Sequence, residues 1–164
     1  MNILISIFGP TAVGKTSFAL KLASQAVQLK NEHGNKIFTG VDIISADSRQ
    51  IYQGLEVLTG TDIPLGFEKT FPNNKDTKEK SLYPFFRKDK INFYGVSIIG
   101  LTEEWSLSHF KNFATKIIMN SLALNRLPII VGGTGLYINH LFKKDNKLFI
   151  PPSDEIREKA KSMS

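Results

Sequence analysis

The chain has 164 residues, 41% hydrophobic and 22% charged, a length that gives room for one domain with a sizeable core, not two, and a composition ordinary for a soluble globular protein. It has no cysteine, which excludes a disulfide framework, a thiolate metal site and a cysteine nucleophile. The formal charge of +6 favours polyanionic partners such as RNA, while the absence of a membrane-length apolar run and of a basic leader after Met1 makes the cytoplasm the expected compartment.

In chain order, residues 2–8 are almost continuously apolar and predict a buried parallel strand. Next comes Gly9-Pro10-Thr11-Ala12-Val13-Gly14-Lys15-Thr16, a complete G-x-x-x-x-G-K-[ST] phosphate loop in the strand-to-helix context that motif requires. Gly9 and Gly14 are expected to let successive N–H groups turn toward an anion, with the positive end of the following helix behind them. Lys15 then serves the terminal phosphates, and the Thr16 hydroxyl is the candidate ligand for a magnesium ion. Phe18, Ala19, Leu22, Ala23, Ala26 and Val27 recur at helical spacing and predict an amphipathic helix over residues 17–30.

Residues 41–46 read as a second buried strand that delivers Asp47 to its C-terminal end, where α/β proteins keep their chemistry. Three roles are open to that carboxylate: helping to hold the metal, taking a proton from a nucleophile, or capping the turn that follows. Residues 48–61 read as a connection.

The pattern then fades. Over residues 64–92 prolines, Asn73-Asn74 and an excess of basic residues predict a solvated insertion or lid with at most local helix. Phe67, Phe71, Tyr83, Phe85 and Phe86 interleave with the basic residues there, which fits either stacking on single-stranded RNA or tethering of the insertion to the body. Residues 94–99 predict a short strand, and residues 106–125 a helix with Ser106 as its cap. Residues 128–131 predict a third buried strand, followed by Gly132-Gly133-Thr134-Gly135 and a helix over 136–143. That glycine-rich loop is expected to let substrate come close, with Thr134 as a donor to it. From about residue 145 the chain is a polar tail.

Alternating strands and helices make this an α/β domain with a mostly parallel sheet, and three loops are expected to converge at its C-terminal edge: 9–16, 47–50 and 132–137. Together, Gly-Pro-Thr-Ala-Val-Gly-Lys-Thr at 9–16, Ile-Ile-Ser-Ala-Asp-Ser-Arg-Gln-Ile-Tyr at 43–52 and Pro-Ile-Ile-Val-Gly-Gly-Thr-Gly-Leu-Tyr at 128–137 resemble the tRNA dimethylallyltransferase family. The resemblance implies a P-loop NTPase-like three-layer fold. It also implies magnesium-dependent transfer of a dimethylallyl group from dimethylallyl diphosphate to the exocyclic N6 of the adenosine 3′ of the anticodon in tRNA. Position by position, it implies that residues 11–16 bind the diphosphate, that Asp47 is the general base, that Ser48, Arg49 and Gln50 contact tRNA, and that Thr134 touches the target nucleotide. Family members are substantially longer, so the chain reads as a truncated form. Its first strand is then expected to pair with 128–131 on one side only, leaving an edge for a second polypeptide or for self-association. Two other readings of the phosphate loop stand beside this one: a small-molecule or nucleotide kinase acting with ATP, and a non-catalytic remnant that binds diphosphate.

Overall fold

The computed structural model describes residues 3–61, 63–71, 83–143, 153, 158, 159 and 162. In chain order the elements are β1 (Ile5–Phe8), α1 (Lys15–Ala26), β2 (Val41–Ser45), β3 (Glu68–Thr70), β4 (Phe85–Lys88), β5 (Ile91–Tyr94), α2 (Leu107–Ala123), β6 (Leu127–Gly132) and α3 (Gly135–Leu141). Six strands form one sheet in the order β1-β6-β2-β5-β4-β3 among the described residues. β1, β6, β2 and β5 run parallel, and β4 and β3 extend the sheet antiparallel.

Three layers result. Ala19, Ala23 and Ala26 of α1 pack on Val41, Ile43, Ile129 and Val131, whereas Phe110, Phe113, Ala114 and Ile117 of α2 and Tyr137 and Leu141 of α3 pack on Ile44, Tyr94 and Ile130. Small residues on α1 let that helix lie close to the sheet. The bulkier α2 face carries more apolar surface, and a fully buried side chain such as Phe110 contributes about 1.5–3 kcal/mol. Ser106 caps α2 as expected. Its hydroxyl accepts from the His109 amide at 3.3 Å, and His109 Nδ1 accepts from the Ser106 amide at 3.1 Å, so a histidine takes the place of the usual Glu or Gln in a capping box. α1 stops a turn earlier than its apolar spacing predicts, because the Gln28 and Leu29 amides tighten onto the carbonyls of Gln25 and Ala26.

Two expectations are corrected by the sheet. The first concerns residues 64–92, where β3, β4 and β5 stand in place of a lid with local helix. Phe85 is only 2% exposed and lies 4.8 Å from the Tyr94 ring, Phe86 is buried against β5, and Tyr83 packs edge-on to Trp105 and Phe113. With Phe67 half-buried on the α1 side, only Phe71 of that aromatic set is freely exposed, which is the tethering arrangement. The short charged strands β3 and β4 defeat a periodicity reading because their pairing is non-local. Residues 72–82 lie outside the described residues.

The second concerns the strand expected at 94–99. It lies earlier, at Ile91–Tyr94, and the chain then bends at Gly95 and Ser97, leaving Ile99 with a single bridge to Tyr52. β1 pairs with β6 as expected, Ile5 opposite Ile129 and Phe8 opposite Gly132. Among the described residues it is an edge strand rather than a buried one: Ile5 and Ile7 are half-buried, Ser6 is exposed and Phe8 is 70% exposed, because the helices cover the middle of the sheet. Leu148 to Ile150 lie outside the described residues, and among those described no helix is long and apolar enough to cross a membrane.

Candidate functional site

Because β1, β6 and β2 are parallel, their C-terminal ends, Phe8, Gly132 and Ser45, bring three loops to one edge of the sheet. These loops enclose an open cavity of about 320 Å³. One wall is the phosphate loop from Thr11 and Ala12 through Gly14 to Ser17, another is Ser45, Asp47, Arg49 and Gln50, and a third is Val131 to Gly133. Lys15 and Arg49 face it with one carboxylate, Asp47, so its lining carries a net positive charge suited to an anion.

Within the phosphate loop the left-handed residues are Ala12, at φ 63°, and Gly14, at φ 80°. Gly14 is the N-cap of α1 and makes no side-chain cap, so the first amides of the helix are left for a ligand. Gly9 plays no such part: its φ is not positive, and an added Cβ would make only ordinary contacts at 3.9 Å or more. Lys15 Nζ donates to the Pro10 carbonyl, which draws the loop closed across its base. A phosphate oxygen is a stronger, charged acceptor for that ammonium. Val13 points outward and is exposed.

Asp47 Oδ1 accepts from the Arg49 amide at 3.0 Å, an Asx turn that fixes the carboxylate at the strand end. The capping role is thus filled by one oxygen, and Asp47 still lines the cavity. Gln50 Oε1 accepts from the Ser45 hydroxyl at 3.1 Å. Ser48 and Thr134 lie next to this wall but outside the lining. The Ser48 amide donates to Thr134 Oγ1 at 3.4 Å, and the Thr134 amide donates to the Ala46 carbonyl at 3.3 Å, so Thr134 ties the β6 loop to the Asp47 loop and keeps its hydroxyl proton for a further bond. Gly132 allows that tie. A Cβ there would meet the Ala46 carbonyl oxygen at 2.3 Å, so the backbone that leads to Asp47 comes close to this glycine, which also lines the cavity. Gly133 and Gly135 face no such contact. Tyr137 is buried and stacks on Phe110 at 4.2 Å; burial pushes its phenol above the usual range, and Tyr52 and Asp47 add to the shift.

Thr59 and Gly60 complete the lining, which local pattern alone does not reveal, since they belong to a polar connection with no periodicity. A smaller recess of about 170 Å³ shares Thr16, Ser17, Gln50 and Gly60 with the cavity and adds the apolar Leu20, Pro64 and Phe93. Among the described residues no group of three or more His, Asp or Glu side chains is placed to hold a metal by itself. The Thr16 hydroxyl and the Asp47 carboxylate are nonetheless hard oxygen donors in one cavity, and magnesium completes its octahedron with water and phosphate oxygens.

The family profile of the IPP transferases matches residues 50–164. This chain belongs to the IPP transferase family. Among relatives in the family, tRNA dimethylallyltransferase 2 of Treponema denticola is 32% identical over 93% of this chain and 40% of its own length. The tRNA dimethylallyltransferase of Acetivibrio thermocellus is 36% identical over 85% of this chain and 34% of its own. The crystal structure of the full-length tRNA isopentenylpyrophosphate transferase of Bacillus halodurans superposes with a TM-score of 0.62 at 28% identity, covering 99% of this chain and 43% of that one. A eukaryotic dimethylallyltransferase acting on tRNA shares the fold, with a TM-score of 0.64 at 21% identity. The chain therefore spans well under half the length of these IPP transferase relatives.

Proposed function

We infer that this chain carries the diphosphate-binding and proton-accepting part of a tRNA dimethylallyltransferase. The reaction moves a dimethylallyl group from dimethylallyl diphosphate to N6 of the adenosine 3′ of the anticodon. The observation that carries the reading is the convergence of the phosphate loop, the Asp47 segment and the Gly132 loop on one cationic cavity in a chain of this family. In the reaction the allylic C–O bond breaks, an N6–C bond forms, diphosphate leaves, and a proton departs from N6. Lys15 and the loop amides stabilise the leaving diphosphate, and Asp47 takes the proton, because an adenine amine is too weak a nucleophile to lose it unaided. The Thr16 hydroxyl, beside the Asp47 carboxylate, would hold magnesium, which would supply charge neutralisation at the diphosphate when bound. The recess under Leu20, Pro64 and Phe93 suits the five-carbon chain. Arg49 and Gln50, in the lining, and Ser48 and Thr134, beside it, are the contacts for tRNA.

Calorimetry with dimethylallyl diphosphate against ATP, joined to an assay for prenylated adenosine in tRNA, tests the reading. Preferential binding of the prenyl diphosphate with product formed supports it; preference for ATP favours a kinase, and binding without product a remnant. Lys15→Ala is expected to weaken diphosphate binding about 10- to 150-fold, the worth of a hydrogen bond to a charged group, with an unchanged thermal melt because Lys15 opens α1 at the cavity rather than in the core. Affinity equal to that of the unmodified chain removes Lys15 from the site.

The partner reading follows from β1. Beyond β6 it has no strand neighbour among the described residues, and Phe8 stands exposed at its end. An open apolar edge of this kind invites pairing by a second polypeptide or a second copy. Light scattering with hydrogen exchange is expected to show association and slowed exchange over 5–8; a monomer with slow exchange there and full activity on tRNA removes the need for a partner.

A further inference from the structure

We propose that Glu56 and Ser97 form a clip that sets two walls of the anion cavity at once, making Glu56 a positioning residue for the bound diphosphate. The inference rests on reading the cavity as a diphosphate site. The Ser97 hydroxyl donates to Glu56 Oε1, and the Gly54 amide donates to the same oxygen at 3.1 Å. From there the chain coils tightly: the Thr59 amide donates to the Leu55 carbonyl at 2.9 Å, the Thr59 hydroxyl to the same carbonyl at 2.8 Å, and the Thr61 amide to the Glu56 carbonyl at 2.9 Å. Thr59 and Gly60, at the end of this coil, are the residues that complete the cavity's lining, so fixing Glu56 fixes them.

Ser97 reaches the other wall. Its amide donates to the Gln50 carbonyl at 2.9 Å, and Gln50 lines the cavity with its side chain held by Ser45. Lys69 Nζ on β3 donates to the Ser97 carbonyl at 3.0 Å, anchoring the clip to the sheet extension. Ser97 is buried and takes φ 52°, a left-handed conformation that is uncommon and costly for a residue other than glycine. The surroundings hold it there, and there its hydroxyl, amide and carbonyl each serve a different segment. The Ser97 hydroxyl, with further help from backbone amides and Lys69, holds the Glu56 carboxyl below its usual range, so the acceptor stays charged and its bonds are of the stronger, charge-assisted kind.

Three variants of the full chain test the clip: Glu56→Ala, Glu56→Gln and Ser97→Gly. Each is measured by hydrogen exchange over 55–61 without ligand and by titration with inorganic pyrophosphate and magnesium. Glu56→Ala removes the acceptor of both the Ser97 and the Gly54 bonds, and is expected to speed exchange at the Thr59 and Thr61 amides and to weaken pyrophosphate binding about tenfold. Glu56→Gln keeps an acceptor oxygen and should stay within about threefold of the parent affinity. Ser97→Gly relieves the left-handed strain, so it should fold, yet it lacks the hydroxyl and should behave like Glu56→Ala. Parent-like exchange in a folded Ser97→Gly, or faster exchange with unchanged affinity, overturns the proposal. An unmodified chain that binds no pyrophosphate overturns the diphosphate reading instead, and the exchange experiment then still decides whether the clip exists.

Discussion

Asp47→Asn is expected to leave diphosphate binding in place and to lower prenyl transfer by roughly two to four orders of magnitude, the usual weight of a general base. The substitution is well matched to the question. Asparagine keeps the Oδ1 that accepts from the Arg49 amide, so the Asx turn and the wall it builds should survive. What it loses is the ability to accept a proton as the N6–C bond forms. The check is single-turnover formation of prenylated adenosine beside calorimetry of dimethylallyl diphosphate with magnesium. Retained binding with lost turnover supports the base; loss of magnesium-dependent binding makes Asp47 a metal ligand and moves the proton acceptor elsewhere.

The second large effect is on stability, at the opposite end of the sheet from the cavity. Arg126→Met is expected to destabilise the chain by about 3–5 kcal/mol, because it strands a buried carboxylate. Asp42, near the start of β2, is 2% exposed, and the Arg126 guanidinium meets both of its oxygens, with Nε at 2.9 Å from each and Nη2 at 2.8 Å from Oδ1. The Ser121 hydroxyl donates to Oδ2 at 2.6 Å and the Asn92 amide group to Oδ1 at 2.8 Å, while Arg126 Nη2 also donates to the Val41 carbonyl at 3.0 Å. Ser121 and Asn92 remain in the variant but bring no charge. Since a domain's whole stability is about 5–15 kcal/mol, chemical denaturation should show a large fall in midpoint. Removing the carboxylate as well, in Asp42→Leu with Arg126→Met, is expected to recover much of the loss. A single variant as stable as the parent, or a double variant no better than the single, would mean that the network contributes little.

What the sequence determined by itself was local in origin. The phosphate loop, its strand and its helix are contiguous, and Gly14 alone supplies the left-handed N-cap that opens α1 to an anion. Asp47 follows β2 directly, so any parallel sheet brings it to the loop edge. Continuous apolar runs identified β2 and β6, and helical spacing with Ser106 identified α2. Tertiary structure decided the rest, because the forces there act between residues far apart in the chain. β3 and β4 are too short and too charged to announce themselves; β4 exists because β5 offers it an edge, and β3 because β4 then does the same. The isoleucines of β1 read as buried, yet strand order left that strand at the margin. Gly132 reads from sequence as room for a ligand, and the fold adds a second constraint on it, the Ala46 carbonyl across the sheet. Asp42 with Arg126, and Glu56 with Ser97, are pairings across long stretches of sequence, and no local pattern marks a charge that will be buried from one that will be solvated.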